Sequence, residues 1–249
     1  EPIELGIDFI ELDDVDLNYN DFRKPVLTFG FDYNHVGLSD LKLAVHHFKM
    51  AEDEYRFDIQ SISCKDRSGI DLTDFQSSVF LTEGEIGLNS LLIETDSSQV
   101  FAHQFVFHFD EWGDFYDFSD EVKFDVKIDS SKVSLTDIAF FAHDLKGMND
   151  VFSLRGKFTD VISALKITDL DLHFGSSSFV KGDFQLPSFS DTLNQSLQQQ
   201  LSKAHLNLED VYSIQLPRGF SLPGLDGTLK KNEFLSISNM EITGSENNF

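Results

Sequence analysis

With a single cysteine, Cys64, the chain can form no internal disulfide and no cysteine-based zinc site. Basic residues are scarce as well: 19 Lys and Arg stand against 43 Asp and Glu, for a formal charge of −24. A chain this acidic lacks the cationic footprint that nucleic acid requires, and it has no electrostatic draw to an anionic bilayer. No apolar run approaches the length of a membrane span, and no signal peptide opens the sequence. The first residues are Glu1-Pro2-Ile3 rather than Met, as in an internal piece of a longer protein. The Gly-x-Ser-x-Gly elbow, the P-loop and the Gly-x-Gly-x-x-Gly fingerprint are missing, so no enzymatic activity is expected.

Phenylalanine is what the chain has in excess, with 26 residues beside 5 Tyr and 1 Trp. Phe carries no polar handle, so this bias calls for an extensive dry surface, either a closed core or a groove. Hydrophobic residues make up 41% of the 249 positions, too many for a disordered acidic tail. The length suits one large domain or two modest ones. Period-two alternation runs nearly throughout. Apolar residues fall at Ile3, Leu5, Ile7 and Phe9, at Leu41, Leu43 and Val45, and at Tyr55, Phe57 and Ile59. They recur at Phe124, Val126 and Ile128, at Phe152, Leu154 and Phe158, at Leu165 and Ile167, and at Phe184 and Leu186. Successive side chains on a strand point to opposite faces, so the pattern predicts antiparallel sheet with one dry and one wet face.

Metal and catalytic constellations are weak. His46 and His47 are adjacent, and His103 and His108 are five apart; on strands neither pair shares a face. Asp14, Asp16 and Asn18 open like a calcium loop, but Tyr19 and Pro25 stand where its glycine and glutamate belong. No metal and no cofactor are expected.

A recurring motif shifts the phase of the alternation. It appears as Leu38-Ser39-Asp40-Leu41, Leu72-Thr73-Asp74-Phe75, Leu135-Thr136-Asp137-Ile138 and Ile167-Thr168-Asp169-Leu170. A bulge or tight bend at the polar pair would return both apolar ends to the same face. Copies of the motif lie 95 to 97 residues apart, which predicts two β-repeat units, 1–130 and 131–249, stacked in an elongated array. Leu193, Leu197 and Leu201 recur every four residues between Gln and Ser, predicting one helix over 190–203 inserted in the second unit. Trp112 to Phe118 and Phe140 to Leu145 suit short helical turns.

The run SKVSLTDIAFFAHDLKGMNDVFSLRGKFTDVISALKITDLDLHFG, from Ser131 to Gly175, resembles the translocation and assembly module (TamB) family of the Bacteroidota, within the AsmA-like superfamily. Asn34 to Ser39, Asp66 to Gly69, Asp114 to Phe118, Phe179 to Phe184 and Ile242 to Gly244 resemble the same family. The resemblance implies a mostly β fold, an elongated antiparallel sheet curled into a trough (a β-taco) with a hydrophobic concave face. It also implies a periplasmic segment of an inner-membrane-anchored cell-envelope protein, whose membrane contacts lie in other parts of the full-length chain. The implied partners are phospholipid acyl chains, carried between the inner and outer membranes, and an outer-membrane β-barrel assembly protein. Phe124, Val126, Ile128, Phe152, Leu154, Phe158, Leu165, Ile167, Phe184 and Leu186 hold the apolar phase of their strands and are the expected lining of the groove. Two other roles fit the same residues: an assembly module whose sheet edges pair with nascent outer-membrane β-barrels, and a structural β-solenoid spacer with a filled core.

Overall fold

The computed structural model describes residues 4–51, 53–185, 196–214 and 233–245. They form one antiparallel sheet of twelve strands in which spatial order is sequence order. The strands are β1 (Glu4–Asn20), β2 (His35–Ala51), β3 (Glu54–Asp66), β4 (Asp71–Leu81), β5 (Glu85–Thr95) and β6 (Gln99–His108). They continue as β7 (Lys123–Ser134), β8 (Val151–Asp160), β9 (Lys166–Phe174), β10 (Ser178–Gln185), β11 (Ser196–Asn207) and β12 (Phe234–Ser245). The helices are brief: α1 (Phe118–Glu121), α2 (Leu135–Ile138) and α3 (Leu208–Ser213), with 3₁₀ turns at Trp112–Asp117, His143–Leu145 and Ile162–Ala164. The sheet is open, and β1 and β12 are its two outermost described strands.

Each strand pairs only with its neighbours in sequence, so what organises the sheet is the facing of its side chains. Directly opposed residues share a face. One row runs Phe57–Val79–Leu88–Phe105–Val126–Phe158–Ile167–Phe184 across β3 to β10. A second runs Leu12–Leu43–Ile62–Phe75–Ile93–Val100 across β1 to β6. A third runs Leu154–Leu172–Val180–Ala204–Ile237 across β8 to β12. Every strand therefore contributes to a single apolar face.

Bulges keep these rows in phase. Asp14, Asp40, His47, Ser90, Asp169 and Asn239 lie inside strands with positive φ, near +50° to +57°. Asp40 separates Leu38, opposite Leu17, from Leu41, opposite Val15. Asp169 separates Ile167, opposite Phe158 and Phe184, from Leu170, opposite Gly182. At the motif from Leu72 to Phe75 the register also steps, between Leu72 and Asp74. The Leu135 copy behaves differently. Ser134 caps the one-turn helix α2, its hydroxyl accepting the Thr136 N–H at 3.2 Å, so the same residue pattern starts a helix there.

The strand reading of residues 196–203 replaces the expected helix. Leu197 pairs with Gly244 and Leu201 with Met240, within β11. A spacing of four is one helical turn, but it is also two strand periods, so the leucines share a face in either structure. Residues 190–195, the start of that expected helix, lie outside the described residues. Residue 130, the division between the two expected repeat units, lies inside β7, and the sheet runs through it unbroken. The matching segments enter β4 and β9, five strands apart. In a meander an odd step reverses direction, so these two copies start at opposite rims of the sheet.

The apolar face is only partly covered. Phe124, Ile128, Phe152, Leu154, Phe158, Ile167 and Phe184 are half-buried, and Val126 alone among these neighbours is buried.

The bulges give a direct test. Ser90 is exposed at φ 52°, so Ser90→Gly is expected to add about 0.5–1 kcal/mol by relieving left-handed backbone strain, raising Tm by about 2 °C. Ser90→Val should lower stability by roughly 1–2 kcal/mol, since a β-branched residue is worst in that conformation. Thermal unfolding by circular dichroism separates the two; indistinguishable variants would mean that the strand does not bend at Ser90.

Candidate functional site

The rows of the apolar face make a continuous hydrophobic surface across the described strands. At a strand separation of about 4.8 Å, the row from Phe57 to Phe184 is on the order of 34 Å long. Eight of the ten residues expected to line a groove sit on this face. Val126, Phe158, Ile167 and Phe184 are directly opposed across four strands. Phe124 and Ile128 flank Val126 at two-residue spacing and face Asp160 and Gly156, while Leu154 faces Leu172 and Phe152 faces Phe174. Leu165 precedes β9, at the end of the 3₁₀ turn Ile162–Ala164, and is half-buried at the rim. Leu186 lies outside the described residues.

Across β7 to β11 the opposite face is ionic. Arg155, Asp171, Lys181 and Lys203 are consecutive partners across β8 to β11. The Asp171 carboxylate takes the Lys181 ammonium at 2.9 Å, the Arg155 guanidinium at 3.1 Å and the His173 ring at 2.8 Å. Partial burial would raise its pKa, but hydrogen bonds from Lys181 and His173 hold it below the usual carboxylate range. A groove of 770 Å³ crosses this side between β7 and β12, with Lys127, Lys157, Asp183 and Gln200 among its walls and Gly156 and Gly182 along its floor. Gly182 has φ 156°, and a Cβ there would lie 2.2 Å from the Gln200 carbonyl oxygen, so only glycine lets these strands approach.

Burial, then the charges of Asp66 and Asp71, push the Cys64 thiol up, away from the reactive thiolate. His47 bonds to Asp58 at 2.9 Å and His108 to Glu85 at 3.0 Å, while the His46 ring packs on Phe9 with centroids 4.8 Å apart. Among the described residues, no group of three or more His, Cys, Asp and Glu side chains is placed to hold a metal ion. None of the described helices is long and apolar enough to cross a membrane.

Polar clasps fix the rim to which β2, β4, β6, β8, β10 and β12 do not descend but from which they start. Asp137 accepts the hydroxyls of Thr95 and Ser98, tying the segment after β7 to the β5–β6 turn. Further along that segment, the Phe140 carbonyl accepts the Phe31 N–H at 2.8 Å, and Phe140 stacks on Phe29. His143 Nε2 donates to the Phe29 carbonyl at 3.0 Å, and the Lys146 ammonium lies 4.3 Å from the centre of the Phe29 ring. The β1–β2 loop is thereby joined to the β7–β8 loop. Asp210 on α3 gathers the β9–β10 turn: its carboxylate accepts the N–H groups of Ser176, Ser177 and Ser178 and the hydroxyls of Ser176 and Ser178. These clasps escape a sequence reading because each joins residues tens of positions apart, and only the run Ser176-Ser177-Ser178 hints at one.

Burial alone would raise the Asp210 pKa, yet the bonds from Ser176, Ser177 and Ser178 hold it far below the usual carboxylate range. A depressed folded-state pKa contributes stability above the unfolded-state value of about 4, and that stability fades as pH falls toward the folded-state value. Asp210→Asn is expected to cost roughly 2 kcal/mol at pH 7, because its amide NH₂ would face N–H donors. The gap between wild type and variant should shrink steadily below about pH 4, read from urea unfolding at several pH values. No protein-family model, curated protein or solved structure matches this chain.

Proposed function

We propose that this chain is a segment of a TamB-like bridge of the AsmA-like superfamily, which shelters phospholipid acyl chains on its apolar face during transport between the inner and outer membranes. It works by shelter rather than by catalysis, in the periplasm, as part of a protein anchored in the inner membrane through other segments. The observation that carries this reading is the unbroken apolar face, shared by all twelve strands yet half-exposed along its length. A filled spacer would bury those side chains against a second layer, whereas Phe124, Ile128, Phe152, Leu154, Phe158, Ile167 and Phe184 stay only half-buried. Transfer of an alkyl chain from water onto such a face is worth about 0.8 kcal/mol per methylene fully sheltered. The head group needs no pocket if it stays in water at the rim.

Phe158→Glu and Ile167→Glu test the shelter. On an open face the new carboxylate reaches water, so both variants should stay folded with a Tm loss of a few degrees, while photocrosslinking of diazirine-bearing phospholipid falls at least fivefold. Global unfolding of both would mean a closed core. Intact variants with undiminished crosslinking would remove the transport role.

A further inference from the structure

At the rim opposite the clasps, the turns β4–β5 and β8–β9 are short, spanning Thr82–Gly84 and Val161–Leu165. The β6–β7 connection is different. It runs from Phe109 to Val122, holds two successive helical turns, and lays an aromatic ladder over the apolar face. The Phe118 ring lies 5.8 Å from Phe107 and 5.5 Å from Phe124, which oppose each other on β6 and β7. Phe115 stacks on Phe118 at 6.0 Å, and Trp112 stacks on Phe115 at 5.9 Å. The ladder thus runs from a 58% exposed Trp112 down to the face itself.

The way this segment is attached matters. Phe109 donates its N–H to the Gly84 carbonyl at 3.0 Å, anchoring the start. Beyond it, the hydrogen bonds of 110–121 among the described residues are internal: the Asp114 carboxylate accepts the N–H groups of Asp110 and Glu111, and Asp114 N–H bonds the Glu111 carbonyl. Ring contacts with Phe107 and Phe124 join Phe118 to the sheet, and α1 also packs against the 3₁₀ turn Ile162–Ala164. Such contact is non-directional, so another apolar group can replace it without stranding a buried donor or acceptor. The segment also carries Asp110, Glu111, Asp114, Asp117, Asp120 and Glu121 with no Lys or Arg, so its own charges repel one another when it lies packed.

We propose that the segment from Asp110 to Glu121 is a displaceable lid, and that the space beneath Phe118, against Phe107 and Phe124, is a loading site for a single alkyl chain entering from this rim. This rests on the acyl-chain reading above, since it gives that face a point of entry. Phe118 occupies the site as a stand-in for the ligand's methylenes.

Trp112 is the chain's one tryptophan, so its emission reports on the lid alone. The full chain would be titrated, below the critical micelle concentration, with 9,10-dibromostearate, whose bromines quench nearby indole, and in parallel with oleate. Saturable quenching by at least half with dibromostearate, matched by an oleate-induced wavelength shift without quenching, is the expected result. Phe118→Ala, which removes the competitor, should bind oleate three- to tenfold more tightly; unchanged affinity in a folded variant would overturn the stand-in role. The wild-type quenching needs no variant, so it decides even if Phe118→Ala fails to fold. Alkyl crosslinks at Phe158 or Ile167 with no quenching of Trp112 would overturn the lid and leave the transport reading standing. Absence of both would overturn the two together.

Discussion

An antiparallel meander satisfies its backbone hydrogen bonds between immediate neighbours, and this one must then hold apolar side chains on one side of twelve successive strands. Because the side-chain period is two, a single slip of phase would move a strand's whole apolar set to the wet side. Strands of up to 17 residues cannot stay regular across a twisting sheet, so the chain inserts residues rather than slipping. Asp40, Ser90, Asp169 and Asn239 take the left-handed conformation so that the residues on either side return to the apolar face. Asp and Asn suit this task because short polar side chains tolerate positive φ better than others. The phase-shifting bulge is thus the device on which the continuity of the face depends.

The two rims solve the problem of open strand ends by different chemistry. On one, carboxylates of Asp137 and Asp210 gather hydroxyls and N–H groups from neighbouring turns, which fixes each turn in one geometry. On the other, rings of Phe109, Phe115 and Phe118 cover the ends of β6 and β7 through contact without direction. Hydrogen-bonded closure specifies position, whereas aromatic closure can be exchanged for another apolar partner. A sheet proposed to pass alkyl chains has use for one rim of each kind.

Charge follows the same division. The acidic excess is spread over the wet face and loops, where it keeps an open sheet soluble and discourages edge-to-edge association. The few cations cluster where strands bring them together, as Arg155 and Lys181 do around Asp171. Exposed pairs of this sort add little stability, but they neutralise a stretch of β8 to β10 that would otherwise repel itself.

Alternation determined most of the strands and their antiparallel pairing, because a period of two has one structural meaning when sustained over many segments. It also determined that Asp40 and Asp169 are bulges, since an apolar residue on each side of a polar pair fits no regular strand. Tertiary structure decided where local pattern was degenerate. Leu197 and Leu201 satisfy a helix and a strand equally, and the ladder with Gly244 and Met240 selected the strand. Leu135 to Ile138 carries the bulge motif, yet Asp137 meets Thr95 and Ser98 from the β5–β6 turn, and Ser134 caps a helix in place of continuing β7. The clasps lay wholly beyond the sequence, because each depends on residues that only the order of the strands brings within a few ångströms; the turns of Trp112 to Phe118 were legible locally, but not their docking on the sheet.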